Sequence, residues 1–345
     1  MQQNNIKSYK FITWLVIGLF LAIIIGIILL FTKNKSKIIS QKNVFDINYH
    51  PVTYEMMSLE TLNNKILAHI YNPALLNAKI TKALFSPSPN QSVFLSYFGD
   101  FAISLAKANE NELQIKTANL TINADPITVS LPADARGTEI IFGGEAVSWY
   151  KIDNKNQVTY SYKQLDNDQV IDFAKFSLPN NLTINDEINF LKIIPDPADQ
   201  NSVFIGGFDN GQFVIEGINL KSQASAIIAS SQGLITNIQM PISGDIISYS
   251  NPSQNILTLT SLNGTSQNIS YVGVIVASNW INENQLLLET KNDNGNYTFS
   301  IYDWENNTLD KITNSDKPLS NIQADLNKGF ILGINPHNQI QRIML

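Results

Sequence analysis

The chain has 345 residues, with 23 lysines and arginines against 29 aspartates and glutamates, a formal net charge of −6, and no cysteine. Without cysteine there can be no disulfide, thiolate metal site or cysteine nucleophile. Five of the basic residues fall in the first 37 and no acidic residue precedes Asp46, so the remainder carries 18 basic and 29 acidic groups, a net of −11 that argues against nucleic acid as a partner.

After a short tail (residues 1–10), Phe11 to Phe31 is an uninterrupted apolar run of 21 residues, FITWLVIGLFLAIIIGIILLF. At a helical rise of about 1.5 Å per residue it spans roughly 30 Å, the thickness of a bilayer's hydrocarbon core. A signal-peptide core is shorter and ends in small residues, whereas this run continues into Thr32-Lys33-Asn34-Lys35-Ser36-Lys37. The run therefore predicts a single-pass transmembrane helix with the lipid bilayer as its partner. Lys7 and Lys10 on one flank are outnumbered by Lys33, Lys35, Lys37 and Lys42 on the other. That bias leans towards a cytoplasmic C-terminal domain, but long domains translocate largely regardless of local charge. The low charge and many Asn, Ser and Thr residues beyond the run favour a cytoplasmic N-terminus and an extracytoplasmic domain at the cell membrane. Gly18, Ala22 and Gly26 share one helical face, a spacing that permits close helix packing and predicts a homodimer contact, although small residues are common in membrane spans anyway.

A linker (residues 32–43) leads into a domain of about 300 residues, 44–345. Leu59, Leu62, Ile66 and Ile70 have helical spacing, yet Lys65 to Tyr71 also reads as a strand, so residues 51–83 stay open between an irregular lead-in and another degenerate blade. From about Leu84 onward, short alternating apolar segments are separated by Asn, Asp, Gly and Pro. Val93–Tyr97 and Phe101–Leu105 form one strand pair, and Val147–Tyr150 and Val158–Tyr162 another. Val203–Gly207 and Phe213–Glu216 flank the turn Asp209-Asn210-Gly211, and Ile246–Tyr249 precedes Ile256–Thr260. The clearest unit has four strands, at Val274–Ala277, Leu286–Thr290, Tyr297–Asp303 and Asp310–Thr313, with a tight turn at Asn292-Asp293-Asn294-Gly295. Turns after first strands, at Pro195–Asp199, Ser243–Asp245, Asn282–Asn284 and Asn327–Gly329, recur at about 40–50 residues, the period of propeller blades. The expectation is an all-β propeller of about six four-stranded blades. Its last unit shows three strands, Ile322–Leu326, Phe330–Ile334 and Gln339–Leu345, so a strand within Val44 to Met57 is expected to supply the fourth and leave no open edge.

Trp280-Ile281-Asn282-Glu283-Asn284-Gln285 followed by Tyr297–Trp304 and Ile312-Thr313 resembles the repeats of TolB-like and WD40-like propellers, and Ser86-Pro87-Ser88-Pro89-Asn90 is a weaker echo. The resemblance implies a platform for protein, peptide or glycan contacts, since most such repeats are non-catalytic.

The search for chemistry yields no catalytic motif and no cofactor or metal signature. His50, His69 and His337 stand far apart, and Gly264-Thr265-Ser266-Gln267-Asn268 misses the nucleophile-elbow pattern at its last position. Only Arg136 and Arg342 could clamp a carboxylate as arginines do. Asp166-Asn167-Asp168, Asp196/Asp199 and Asn292–Gly295 offer oxygen ligands, but residues of this kind serve tight turns in their own right. Trp149, Trp280 and Trp304 are candidate binding-face aromatics, with packing between blades as the competing role. The leading expectation is a membrane-anchored, non-catalytic binding or scaffold module for an envelope protein, peptide or glycan. The alternative is a surface glycoside hydrolase or other hydrolase whose carboxylates converge at the channel mouth, where a binder would instead show an apolar or aromatic patch.

Overall fold

The structure is a computed structural model that describes residues 36–38, 43–49, 56–72, 77–86, 91–120, 125–167, 169–179, 182 and 190–345. Among these residues the chain forms seven four-stranded antiparallel sheets. Strand β1 (Ser36–Ile38) comes first in the chain but belongs to the last sheet. Blade 1 comprises β2 (Val44–Tyr49), β3 (Met56–Leu62), β4 (Lys65–Asn72) and β5 (Asn77–Phe85). Blade 2 comprises β6 (Ser92–Leu95), β7 (Phe101–Asn109), β8 (Glu112–Asn119) and β9 (Ile127–Pro132). Blade 3 follows with β10 (Arg136–Ile141), β11 (Ala146–Ile152), β12 (Gln157–Gln164) and β13 (Val170–Ser177). In blade 4 the strands are β14 (Ile193–Pro195), β15 (Ser202–Asp209), β16 (Gln212–Asn219) and β17 (Ala224–Ser231). Blade 5 is built from β18 (Thr236–Gln239), β19 (Ile246–Asn251), β20 (Ile256–Ser261) and β21 (Ser266–Ser270). Blade 6 contains β22 (Val274–Trp280), β23 (Gln285–Lys291), β24 (Tyr297–Asp303) and β25 (Thr308–Ser315). Blade 7 joins β26 (Ser320–Asp325), β27 (Phe330–Ile334) and β28 (Ile340–Met344) to β1.

The blade number is therefore seven rather than six. The additional unit is blade 1, in the stretch that sequence left open between an irregular lead-in and another degenerate blade. Met56 to Glu60 are all buried, because β3 is covered on both faces, so the alternation that marks a strand is absent. Asn63 and Asn64 both take positive φ (49° and 57°) and reverse the chain between β3 and β4, which rules out a helix through Leu59 and Ile70.

Closure is as expected in kind but not in place. Ser36–Ile38 pairs with β28 in the register Ser36↔Ile343, Lys37↔Arg342 and Ile38↔Gln341. Val44–Tyr49, in the window expected to close the ring, is the innermost strand of blade 1 instead. Val44 and Ile47 are buried against Met56 of their own blade and Phe330, Leu332 and Ile334 of blade 7, a role that suits an inner strand. No helix among the described residues is long and apolar enough to cross a membrane. Phe11 to Phe31, with Gly18, Ala22 and Gly26, lies outside those residues.

The hydrophobic core is distributed between blades. Met57, Leu59 and Ile66 of blade 1 meet Val93, Leu95 and Ala102 of blade 2, and Leu287, Phe299 and Ile301 of blade 6 meet Ile322, Ala324 and Ile331 of blade 7. Middle strands such as β19 and β27 are buried along their whole length, whereas β13 at the rim alternates between more and less exposed positions. Each blade thus buries both faces only when its neighbours are present.

Candidate functional site

Apart from residues 178–192 between blades 3 and 4, the outer strand of one blade is joined to the inner strand of the next by short segments, such as residues 133–135, 232–235 and 271–273. Connections this short place an outer strand's end and the next inner strand's start on one face, so all seven inner strands run in the same direction along the axis. We call the face where they begin the entry face and the face where they end the exit face.

A central cavity of about 1170 Å³ is lined by residues from or flanking the inner strand of every blade. Among the described residues two carboxylates reach it, Asp46 on β2 and Glu139 on β10. The Asp46 carboxylate accepts N–H bonds from Ile47 (2.8 Å) and from Leu95 in the next blade (2.8 Å), together with the amide of Asn321 in blade 7. Burial raises its pKa to about 6 against the pull of those three donors. Glu139 accepts from Ile140 (2.9 Å) and from Tyr97 in blade 2 (3.1 Å). Burial is again the main cause of its pKa, pushed up to about 8, and the Asp46 charge raises it further. Lys192, ahead of β14, also lines the cavity, and burial lowers the pKa of its ammonium group.

Three inner strands, β10, β18 and β26, carry polar groups inward through a local irregularity. Gly137, Asn237 and Asn321 occupy matching second positions of β10, β18 and β26, all with φ between 51° and 57°, and each ladder shifts register there. The shift turns the residues at and after it towards the axis. It places Glu139, Gln239 and Gln323 at matching positions two residues on. At Gly137 no side chain fits, because a Cβ would lie 2.3 Å from Cε1 of Tyr150.

Hydrogen bonds cross every blade junction. Asn321 to Asp46 joins blades 7 and 1, Leu95 to Asp46 joins 1 and 2, and Tyr97 to Glu139 joins 2 and 3. The Tyr160 hydroxyl donates to the Gly206 carbonyl (2.9 Å), and Asn251 donates to the Ser231 hydroxyl (3.1 Å). Gln239 donates to the Ser278 carbonyl, leaving its own buried amide oxygen without a partner among the described residues. Between blades 6 and 7, Asn279 donates to Ile322 (3.1 Å) and Glu289 accepts from Leu319 (3.0 Å). The channel carboxylates thus serve as acceptors that fasten one blade's backbone to the next.

The sequence-predicted positions are distributed around this frame. Trp149 is fully buried in β11, and Trp280 is buried at the end of β22 with its indole N–H donating to Ser248 (3.0 Å) across the blade 5–6 junction. Trp304 packs against the same apolar cluster as Trp280, so these two come together while Trp149 sits in another blade. His69 lies 3.9 Å from Glu60 in blade 1, and His337 is in a blade 7 turn, donating its backbone N–H to Asn335 (2.9 Å); His50 and Asp168 lie outside the described residues. Asp199 accepts from Ser202 (2.6 Å) and Asn219 (3.0 Å), and Asn292 from the Asn296 N–H (3.0 Å), which are turn-forming roles. Arg136 stands at the start of β10 at the channel, whereas Arg342 is on β28. No group of three His, Asp or Glu side chains that could hold a metal is found among the described residues.

Asp46, Glu139, Gln239 and Asn321 were not singled out by sequence. One signal was present: Thr236-Asn237-Ile238-Gln239 and Ser320-Asn321-Ile322-Gln323 are the same tetrapeptide apart from a Thr/Ser exchange, two blades apart. The exposed apolar residues at the entry face, Val272 (83% exposed) and Val274 (63%), continue through Val276 into the channel.

No family model and no curated protein matches the chain. Solved structures match its fold. An oligogalacturonate lyase in complex with manganese aligns with a TM-score of 0.64 at 10% identity, over 90% of this chain and 93% of that one. The β-propeller domain of Myceliophteria thermophila Swd1 gives 0.58 at 12%, over 90% and 98%. A virginiamycin B lyase from Staphylococcus aureus gives 0.54 at 13%, over 90% and 99%. At these identities the likeness is one of fold, which is shared by enzymes and non-enzymes alike.

Proposed function

We propose that this chain is a membrane-anchored, non-catalytic β-propeller that binds an envelope protein, peptide or glycan at the entry face of its channel. The observation that carries the reading is the engagement of the channel carboxylates. Asp46 and Glu139 each accept backbone N–H bonds from within their own strand and from a neighbouring blade. A glycosidase pair needs one carboxyl free to give a proton and another free to attack or to activate water. Here both hold the ring together. The apolar line Val272, Val274 and Val276 offers the kind of patch expected of a binder. Membership among TolB-like or WD40-like propellers, which the repeats suggest, agrees with such a role.

In this reading Phe11–Phe31 anchors the chain, Gly18, Ala22 and Gly26 form the contact of a homodimer, and the propeller lies outside the cell. Anchoring raises its local concentration near envelope partners.

The test uses full-length chain with envelope polysaccharide and peptide fractions, scoring both co-sedimentation and release of soluble fragments. Saturable binding that Val274→Asp abolishes, with no fragment release, is the expected result. Fragment release that disappears in Asp46→Asn or Glu139→Gln would overturn the reading in favour of an enzyme. Protease accessibility of a C-terminal tag in intact cells checks the placement, with loss of the tag expected and protection until lysis against it.

A further inference from the structure

A second cavity, of about 280 Å³, lies on the exit face and is bordered by the loops that follow the inner strands of blades 2, 3, 4 and 5. It is smaller than the roughly 300–1,000 Å³ of small-molecule clefts, a size for one large side chain. Phe98, Phe101 and Phe142 line it. A pair of glycines makes the space: a Cβ on Gly144 would lie 2.5 Å from Cζ of Phe101, and Gly143 has the Gln200 side chain at 3.4 Å. Both glycines have positive φ (62° and 108°), which few other residues adopt.

The polar part of the wall is acidic. Asp196 borders the pocket, and Glu139 reaches it from the channel side, buried, with each oxygen taking a single backbone N–H. The surrounding loops, residues 96–100, 142–145, 196–201 and 240–245, contain Asp100, Glu145, Asp196, Asp199 and Asp245 and no lysine or arginine. Burial raises the pKa of Asp196 against backbone N–H bonds that lower it, and the charges of Asp199 and Asp245 raise it further, so like charges crowd this wall. A cation arriving here relieves that repulsion, and aromatic faces attract it as well.

We propose that this pocket takes an arginine side chain of a partner polypeptide, its methylene stem among Phe98, Phe101 and Phe142 and its guanidinium against the Asp196 carboxylate. A planar guanidinium stacks on aromatic faces and bonds carboxylates in pairs, which suits this wall better than a compact ammonium. The site is on the opposite face from the channel mouth and does not depend on what the channel binds.

The experiment is isothermal titration of full-length chain in detergent with a heptapeptide of six glycines around one arginine, and with its norleucine and glutamate counterparts. The arginine peptide is expected to bind at least tenfold more tightly than either. Gln200→Trp, an exposed position whose larger ring fills the pocket, should remove binding, and Asp196→Asn should weaken it about tenfold. Val274→Asp at the channel mouth should leave it unchanged. Equal affinity for the norleucine peptide, indifference to both pocket variants, loss in Val274→Asp, or no binding of the arginine peptide would each overturn the proposal.

Discussion

Tyr97 and Met240 are joined across the channel: the Tyr97 hydroxyl accepts from the Met240 N–H at 2.7 Å and donates to its carbonyl at 3.2 Å. The two residues follow the inner strands of blades 2 and 5, so the phenol spans the axis at the exit side of the cavity. Burial holds its pKa well above the ordinary tyrosine value, so it stays a donor at any physiological pH. Tyr97→Phe keeps the ring and removes both bonds, leaving two buried groups of Met240 unsatisfied. The expected loss is about 1–3 kcal/mol, read as a lower midpoint in urea with an unchanged slope. An unchanged midpoint would mean that water replaces the hydroxyl at no cost.

Three buried carboxyls give the domain an unusual pH response. Asp46, Glu139 and Glu289 have folded-state pKa values raised by burial to about 6, about 8 and about 7. In the unfolded chain such groups titrate near pH 4. Between those limits the folded state holds protons that the unfolded state has released, so stability falls as pH rises from about 4 to about 8 and levels off above. Asp153, Asp199 and Asp303, held below the ordinary value by hydrogen bonds, act in the opposite sense and cost stability as pH drops below about 4. Calorimetry should therefore find the highest Tm at mildly acidic pH. Glu139→Gln should flatten the decline between pH 6 and 8 (about two decades of proton activity), and parallel curves for the two proteins would refute the assignment.

Glu289 adds a separable effect. One of its oxygens accepts the Leu319 N–H and the other, fully buried, has no partner among the described residues. Above pH 7 an ionised carboxylate there is poorly compensated. Glu289→Gln keeps an acceptor for Leu319 without the charge, and is expected to raise Tm at pH 8 while changing little at pH 5. A loss of stability at pH 8 would show that the charge itself is needed.

The ring is closed by a strand of three residues. A chain beginning at Asn43 lacks Ser36–Ile38 and exposes the edge of β28, from Ile340 to Met344. Exposed edges pair with other chains. Compared with a chain beginning at Thr32, it should elute as oligomers at micromolar concentration and melt several degrees lower. Identical elution and melting would mean that β28 needs no partner.

Two glycines separate backbone strain from steric exclusion. Gly264 has φ +93° with open space around its missing Cβ, whereas Gly273 has φ +91° and a Cβ there would lie 2.2 Å from the Lys291 carbonyl oxygen. Gly264→Ala should cost about 1–2 kcal/mol from conformation alone. Gly273→Ala must in addition move a backbone strand and should cost at least twice as much by urea denaturation.

The repeating strand pattern, the turn chemistry and the propeller architecture were legible in the sequence, because they are written locally. Asn210-Gly211 adopts φ 48° and 80° in the hairpin that its residues predict, and β22 to β25 fall where alternation placed them. What alternation could not show was blade 1, because burial of both faces of β3 removes the period of two. The closing strand was equally hidden, since Ser36–Ile38 has no apolar pattern of its own and is a strand only because β28 offers an edge 300 residues away. The candidate sites follow the same division. Asp46, Tyr97, Glu139 and Met240 sit on separate blades, and nothing in their flanking residues marks them as neighbours. Local spacing specified the blades, and only ring closure brought residues of distant blades close enough for burial and hydrogen bonding to turn ordinary side chains into a site.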